Sequence, residues 1–138
     1  MPVTLQQPTG ARLITATDQE LAIPATLRYT SADPAAAHID FPAHVTVDGE
    51  AATWTFARVL LGEGLRAPAG PGNVRVRPAG PSHTYVEFHA SQGMAVLRFA
   101  TSDLTRFLAR TYTICAADEE TASTEPDHGL VALHGGRV

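Results

Sequence analysis

The sequence predicts an α+β domain built on antiparallel sheet, and three observations lead to this fold class. Stretches of alternating apolar and polar residues fill most of the chain, which is typical of strands with one buried face. Glycine, proline and aspartate separate these stretches, as in turns. Twice a strand runs into a segment of helical spacing, at Phe56-Ala57 and at Phe99-Ala100. We therefore expect two similar halves, each an antiparallel β-meander followed by a helix.

The first half is predicted to hold four strands and one short helix. Leu21, Ile23 and Leu27 alternate on one face of the second strand, and Trp54 and Phe56 share a face of the fourth. The predicted strands cover residues 3–15, which residues 8–10 could interrupt, then 20–29, 38–41 and 52–56.

Two further features complete this half. Asp48-Gly49 is a hairpin turn signal, so we expect it to join the segment 45–47 to the strand at 52–56. Residues 57–65 then change to helical spacing, and two glycines keep the predicted helix short.

The second half is predicted to hold three strands, at 73–77, 84–89 and 94–100, and a helix at 101–113. A turn at 90–93 would place Tyr85 opposite Arg98. This register gives an apolar core face and an outer face that mixes arginine, tyrosine, methionine and valine. Arginine, tyrosine and methionine are enriched in protein interfaces, although an ordinary solvated sheet face remains the alternative. The predicted outer face carries Arg75, Arg77, Tyr85, Glu87, His89, Met94, Val96 and Arg98.

Charge divides the 138-residue chain, whose formal net charge is −4, into two parts. Residues 1–115 balance nine acids with nine arginines and are predicted to form one α+β domain. Residues 116–138 carry five acids against Arg137 alone and are predicted to be a flexible acidic tail. A neutral body lacks the positive field on which nonspecific nucleic-acid binding depends, so nucleic acid is a disfavoured partner.

Composition also excludes several kinds of chemistry. The chain has no lysine, which rules out a P-loop and a Schiff-base lysine. Cys115 is the only cysteine, so there is no internal disulfide and no four-cysteine zinc site. The six histidines lack ligand spacing, and no serine lies in a Gly-x-Ser-x-Gly elbow. We predict no catalytic residue, no metal and no cofactor.

The sequence gives no sign of membrane insertion or export. No apolar run is long enough to span a bilayer, and residues 1–10 lack the basic start and apolar stretch of a signal peptide. We expect a soluble, cytoplasmic protein.

The chain resembles the SsgA-like proteins of sporulating actinomycetes over about residues 12–112. Asn73 stands where the family pattern has aspartate. The motifs that carry the resemblance are Leu27-Arg28-Tyr29 with Asp33-Pro34, Trp54-x-Phe56-Ala57-Arg58-x-Leu60-Leu61-x-x-Gly64-Leu65, Pro68-x-Gly70-x-Gly72-Asn73-Val74-Arg75-Val76-x-Pro78 and Leu104-x-x-Phe107-Leu108.

The resemblance implies a Whirly-like fold of two sheets with helices, assembled as a homotrimer. It implies no enzyme activity and a role in sporulation-specific cell division at the septum. There such proteins help to select septum sites, recruit the tubulin-like protein FtsZ or steer peptidoglycan remodelling. The implied partners are other copies of the chain, other SsgA-like proteins, and FtsZ or other divisome components.

Five residues are candidates for the interface: Arg58, Arg75, Arg77, Tyr85 and Arg98. For Arg58 and Arg75, structural pairing and partner contact are both open. The alternative function is Whirly-like binding of single-stranded nucleic acid, because arginines beside a tyrosine can hold and stack bases.

Overall fold

A computed structural model describes residues 2–16, 19–46, 48–91 and 93–116 of the chain. It contains seven strands, a short 3₁₀ helix at Ala43–Val45 and two α-helices. The predicted acidic tail at 116–138 lies outside the described residues, apart from Ala116. The elements are β1 (Thr4–Ala16), β2 (Gln19–Thr30), β3 (Ala36–Phe41), β4 (Ala52–Ala57), α1 (Arg58–Gly64), β5 (Val74–Pro78), β6 (His83–Ala90), β7 (Gly93–Ala100) and α2 (Thr101–Ile114).

All seven strands form one antiparallel sheet in the order β4-β3-β2-β1-β7-β6-β5. Each predicted half is a meander followed by a helix, so the predicted α+β class and the meander-plus-helix halves are confirmed. The halves join where residues 11–13 of β1 pair with residues 97–99 of β7. Because of this pairing, the described strands make a single sheet rather than the two sheets that the resemblance implied.

The sheet curls around its own apolar face. Trp54 on the edge strand β4 lies 4.7 Å from Phe88 on β6, between ring centroids, although four strands separate them in the sheet order. Phe41 on β3 meets the same ring edge-on at 5.9 Å. Leu61 of α1 and Phe107 of α2 are fully buried in the same cluster. One core therefore serves both halves.

The local prediction at Asp48-Gly49 is wrong. Residues 43–45 form a 3₁₀ helix, and β4 pairs with β3 in a register that sets Trp54 opposite Ile39. The chain does turn at Gly49, where φ is +76°. The turn signal was genuine, but burial of Trp54 beside Ile39 determines the partner strand.

Strand β1 runs without a break through Pro8, where an interruption was predicted. Its ladder to β2 is regular there, with Pro8 opposite Thr26. The pairing with β7 involves only residues 11–13, so one edge of β1 carries no strand ladder at Pro8. Proline is tolerated at such an edge because its missing N–H leaves no partner unsatisfied.

Helix α1 packs in close contact with β5 at Gly64. A Cβ atom built on Gly64 would lie 2.2 Å from Val76 Cβ and 2.9 Å from the Val76 carbonyl oxygen. The sequence predicted that Gly64 helps to keep the helix short; the structure shows that it also allows the helix to touch the strand.

Candidate interaction surface on the outer sheet face

The sheet face directed away from the core, here called the outer face, carries a line of cationic and aromatic side chains across four strands. Arg77 on β5 is opposite Tyr85 on β6, which is opposite Arg98 on β7. Arg98 is in turn opposite Arg12 on β1. We call these four residues the arginine row. The predicted opposition of Tyr85 and Arg98 is confirmed.

At the β5 end of the row, Arg77 contacts both Tyr85 and Glu87. The Arg77 guanidinium lies 4.6 Å from the centroid of the Tyr85 ring and donates to Glu87 Oε2 over 2.9 Å. The other Glu87 oxygen, Oε1, is 3.1 Å from His89 Nε2. The hydrogen bond from Arg77, helped by His89, lowers the pKa of Glu87 against the opposing effect of burial. Glu87 is therefore a fixed anion that orients Arg77.

At the β1 end of the row, nearby acids neutralise less of the positive charge. Arg98 makes a two-pronged ion pair with Glu20, with N–O distances of 2.5 and 2.7 Å, and this pair crosses over β1 to reach β2. Arg12 is exposed, and among the described residues its guanidinium has neither a hydrogen bond nor an ion pair. Sequence reasoning missed Arg12 and Glu20, because nothing in the pattern predicted that β1 pairs with β7.

Arg75 extends the surface beside the row. It is exposed on β5, and its printed contact is a long one of 3.5 Å from Nε to the Gly72 carbonyl oxygen. It lines a cleft of about 330 Å³ together with Arg77, Glu87 and the segment 68–70. This segment follows the sheet edge, since Ala69 pairs with Val76.

Arg58 does not belong to this surface, which corrects its place among the interface candidates. It is completely buried at the start of α1 and donates to the carbonyl oxygens of Thr111 and Cys115, over 3.1 and 2.8 Å. Its guanidinium also lies 3.8 Å from the ring centroid of Tyr112 and 5.2 Å from that of Tyr29. Of the two roles left open by the sequence, the structure shows structural pairing.

A second polar group occupies the outer face over β2, β3 and β4. Arg28 grips Asp40 through two hydrogen bonds of 2.7 and 3.1 Å, and Thr53 donates to the same carboxylate over 2.6 Å. Burial raises the pKa of Asp40, but these hydrogen bonds outweigh it and leave the pKa below its ordinary value. Beside them, Nδ1 of the buried His38 lies 2.8 Å from the Thr55 hydroxyl.

Neither polar group is arranged for metal chemistry. Within residues 2–16, 19–46, 48–91 and 93–116, no three His, Cys, Asp or Glu side chains cluster closely enough to hold a metal ion. Among the same residues no helix combines the length and apolarity needed to cross a bilayer. The outer face presents guanidinium and carboxylate groups and an aromatic ring.

Comparison with known proteins places the chain in a family. A family model described as "Streptomyces sporulation and cell division protein, SsgA" matches residues 23–120. The chain belongs to this SsgA family. The resemblance drawn from the sequence motifs is thereby confirmed.

Relatives in the SsgA family match between about three quarters and nearly all of the chain. A sporulation-specific cell division protein SsgB of Salinispora tropica is 40% identical over 139 residues, which is 99% of this chain and 96% of the relative. SsgB of Streptomyces coelicolor is 40% identical over 103 residues, or 72% of this chain and 73% of that protein.

Solved structures of SsgA-family proteins share the fold. One of them comes from work on SsgB, in which mutations in SsgB correlate to longitudinal cell division during sporulation of Streptomyces coelicolor. It superposes on this chain with a TM-score of 0.79 at 33% sequence identity. It covers 90% of this chain and 98% of its own. An SsgA-like sporulation-specific cell division protein from Thermobifida fusca gives a TM-score of 0.76 at 29% identity, covering 93% of each chain.

Proposed function

We propose that the chain is a non-enzymatic adaptor in sporulation-specific cell division. The observation that carries the proposal is the match along 99% of the chain to a protein named for this process, the SsgB of Salinispora tropica. Match over the full length means that the whole domain, and not an isolated motif, is shared. The function we assign is to bring division components together at the septum.

We further propose that the adaptor assembles with itself as a Whirly-like trimer and binds FtsZ, another SsgA-like protein or a component of peptidoglycan remodelling. The outer face supports this role, because it exposes arginine and tyrosine, which carry much of the binding energy in protein interfaces. The candidate contacts are Arg75, Arg77, Tyr85 and Arg98.

Light scattering on the purified chain, alone and with FtsZ from the same organism, tests the proposal. We expect a trimer that also shifts FtsZ, and fluorescently tagged chain at sporulation septa. Arg75→Glu should weaken capture of the division partner without loss of folding, because this side chain is exposed. Arg106→Glu on α2 is the matched control, since Arg106 is equally a surface arginine. A monomer that retains neither FtsZ nor an SsgA-like protein contradicts the adaptor function.

Single-stranded nucleic-acid binding is a second candidate, favoured by one observation. Arg77 stacked on Tyr85 beside Arg98 is the combination of cation and aromatic ring that holds single strands. Anisotropy of labelled oligonucleotides at low salt decides this candidate, and no binding at micromolar protein removes it.

A further inference from the structure

We propose that the cleft beside β5 is a binding site for a carboxylate, and that its occupant is an acidic side chain on a peptide segment of a protein partner. The cleft, of about 330 Å³, is lined by Arg75 and Arg77 of the sheet and by the segment 68–70 at the sheet edge. This inference rests on the proposed adaptor function and deepens it, because it names the chemistry by which the outer face recognises a partner.

The segment 68–70 forms a fixed rim of the cleft. The Ala69 N–H donates to the Val76 carbonyl oxygen over 2.8 Å, and the Val76 N–H donates to the Ala69 carbonyl oxygen over 2.9 Å. Gly70 follows with a φ of +108°, and a Cβ atom built on it would lie 2.5 Å from the Val74 carbonyl oxygen. Glycine allows this close approach because it has no side chain to clash. The cleft is therefore formed before a ligand arrives, which reduces the entropic cost of binding.

Arg75 supplies the positive charge that a ligand would neutralise. It is directly opposite Glu87 in the ladder of β5 and β6, but both oxygens of that carboxylate have other partners. Arg77 donates to one over 2.9 Å, and His89 Nε2 lies 3.1 Å from the other. Within the described part of the chain, Arg75 is left exposed with a long contact of 3.5 Å to the Gly72 carbonyl oxygen. Most of its five N–H donors are therefore available to a ligand.

The charges that line the cleft match one carboxylate. Arg75 and Arg77 are positive and Glu87 is negative, so one positive charge is in excess. A carboxylate balances this excess, and its two oxygens fit the fork of a guanidinium group. A phosphate monoester carries a charge of about −1.5 to −2 and would be repelled by the Glu87 carboxylate. A nucleic-acid strand would bring a row of negative charges to a chain whose net charge is −4.

The size and position of the cleft favour a side chain of a protein partner as the occupant. A volume of about 330 Å³ is at the lower end of the range for small-molecule pockets, which is roughly 300–1,000 Å³. Pro68 and Ala69 line the cleft beside the arginines and offer carbon atoms to the aliphatic stem of an acidic side chain. The cleft also continues into the arginine row, because Arg77 belongs to both and stacks on Tyr85. A partner that places an acid in the cleft can therefore contact the rest of the outer face as well.

Nuclear magnetic resonance of the isotope-labelled full chain tests the inference, because each arginine gives its own side-chain Nε–Hε signal. The probe is the peptide acetyl-Ala-Glu-Glu-Ala-amide. The control probe is acetyl-Ala-Gln-Gln-Ala-amide, which has nearly the same shape without the charge. We expect the acidic peptide alone to produce saturable shifts of the Arg75 and Arg77 signals. Added salt should weaken the binding, since the contacts are ionic.

Matched variants locate the site. Arg75→Gln should weaken binding of the acidic peptide about fivefold or more, because it removes the guanidinium group that has no anionic partner. Arg66→Gln is the control, because Arg66 is also exposed and without an ion pair among the described residues but does not line the cleft. It should change binding less than about twofold. Both positions are exposed, and the backbone amide spectrum checks that each variant is folded.

Four outcomes overturn the inference: no saturable shift of the Arg75 signal, equal binding of the glutamine peptide, equal losses in the two variants, or equal shifts of the Arg66 signal. Tighter binding at the Arg75 signal by inorganic phosphate or by oligothymidine also overturns it, and assigns the cleft to a phosphate ligand or to nucleic acid.

Light scattering with FtsZ separates failure of this inference from failure of the adaptor function. A chain that retains its division partner but does not bind the acidic peptide contradicts only the inference. A chain that binds the peptide but retains neither FtsZ nor an SsgA-like protein contradicts only the adaptor function.

Discussion

The buried side chain of Arg58 connects the two helices. Arg58 begins α1, and its guanidinium donates to the carbonyl oxygens of Thr111 and Cys115 at the end of α2, where the Thr111 oxygen also accepts from the Cys115 N–H over 3.0 Å. The rings of Tyr29 and Tyr112 lie beside the guanidinium, so aromatic faces add to the carbonyl dipoles in stabilising its charge. Arg58 therefore fastens the end of α2 to the start of α1.

Replacing Arg58 should be costly. We expect Arg58→Ala to lower the free energy of unfolding by about 3–5 kcal/mol, because it leaves a cavity and removes the guanidinium that donates to the carbonyl oxygens of Thr111 and Cys115. Urea unfolding monitored by circular dichroism measures the loss. Arg106→Ala, which removes an exposed arginine of α2, should change stability by less than about 0.5 kcal/mol. Equal small effects would show that Arg58 does not have this role.

His38 should make stability depend on pH. Burial lowers the pKa of His38 below 6.5 and the Arg28 charge lowers it further, against the weaker effects of Asp33 and Asp40. Below about pH 6.5 the unfolded chain takes up a proton at this residue while the folded chain resists it. The contribution of His38 to the free energy of unfolding is therefore fully present above that pH. It decreases as the pH is lowered from there toward the pKa of His38 in the folded chain.

Urea unfolding between pH 7.5 and 5 checks this dependence. His38→Gln should flatten the decrease, whereas His44→Gln should leave it unchanged because His44 is exposed. If the free energy of unfolding of His38→Gln decreased with pH as steeply as that of the unaltered chain, other groups would be responsible for the decrease.

The roles of these residues differed in how far sequence could predict them. Trp54 and Phe56 were assigned to a buried face from period two alone, because alternation directly reports which side of a strand is covered. Arg58 could not be assigned to one role, because its partners lie on α2, more than fifty positions away. Partners that distant in sequence are set by tertiary packing, which no local pattern records.

Helix α1 and strand β5 approach as closely as they do because of a glycine. We expect Gly64→Ala to lower the free energy of unfolding by about 1–3 kcal/mol, since its new methyl group would overlap Val76. Gly62→Ala is the matched control in the same helix, because its methyl would make an ordinary 3.4 Å contact with Leu108. This control should gain up to about 1 kcal/mol from the better helix propensity of alanine. Thermal unfolding of both variants measures the contrast, and similar midpoints would refute the close-contact argument.

At the scale of elements, most strand and helix positions were predictable, whereas the pairing of β4 with β3 and that of β1 with β7 were not. The hairpin of β6 and β7 was predicted to the residue, because a short turn fixes the register of two consecutive strands. The predicted pairing of the segment 45–47 with the strand at 52–56 was wrong, because Val45 lies in the 3₁₀ helix and β4 pairs with β3 in a register that sets Trp54 opposite Ile39. Tertiary packing of β4 against β3 overruled the local turn signal.

At the scale of the whole molecule, the single core predicts cooperative unfolding of both halves. We expect Ile39→Ala in β3 to lower the stability of the whole domain by about 2–5 kcal/mol, because Ile39 is fully buried in the shared cluster. Hydrogen exchange should then show equal loss of protection for slow amides in β3 and in β6. Unchanged protection in β6 would mean that the halves unfold separately.

The candidate surface was partly predictable at this scale. The sequence predicted that Arg77, Tyr85 and Arg98 share one face, because they lie on strands joined in order along the chain. It could not add Arg12, since the contact of β1 with β7 joins the first strand to the last and involves only residues 11–13. The arginine row forms only when β1 of the first half pairs with β7 of the second half.

The direct passage from strand to helix in both halves has a consequence for which changes in length the chain can tolerate. Ala57 is followed at once by α1 and Ala100 by α2, with no intervening loop. One inserted residue at either junction would rotate the helix by about 100° and turn its buried side chains toward water. Natural insertions and deletions among related sequences should therefore avoid these junctions and collect at exposed turns such as residues 48–50.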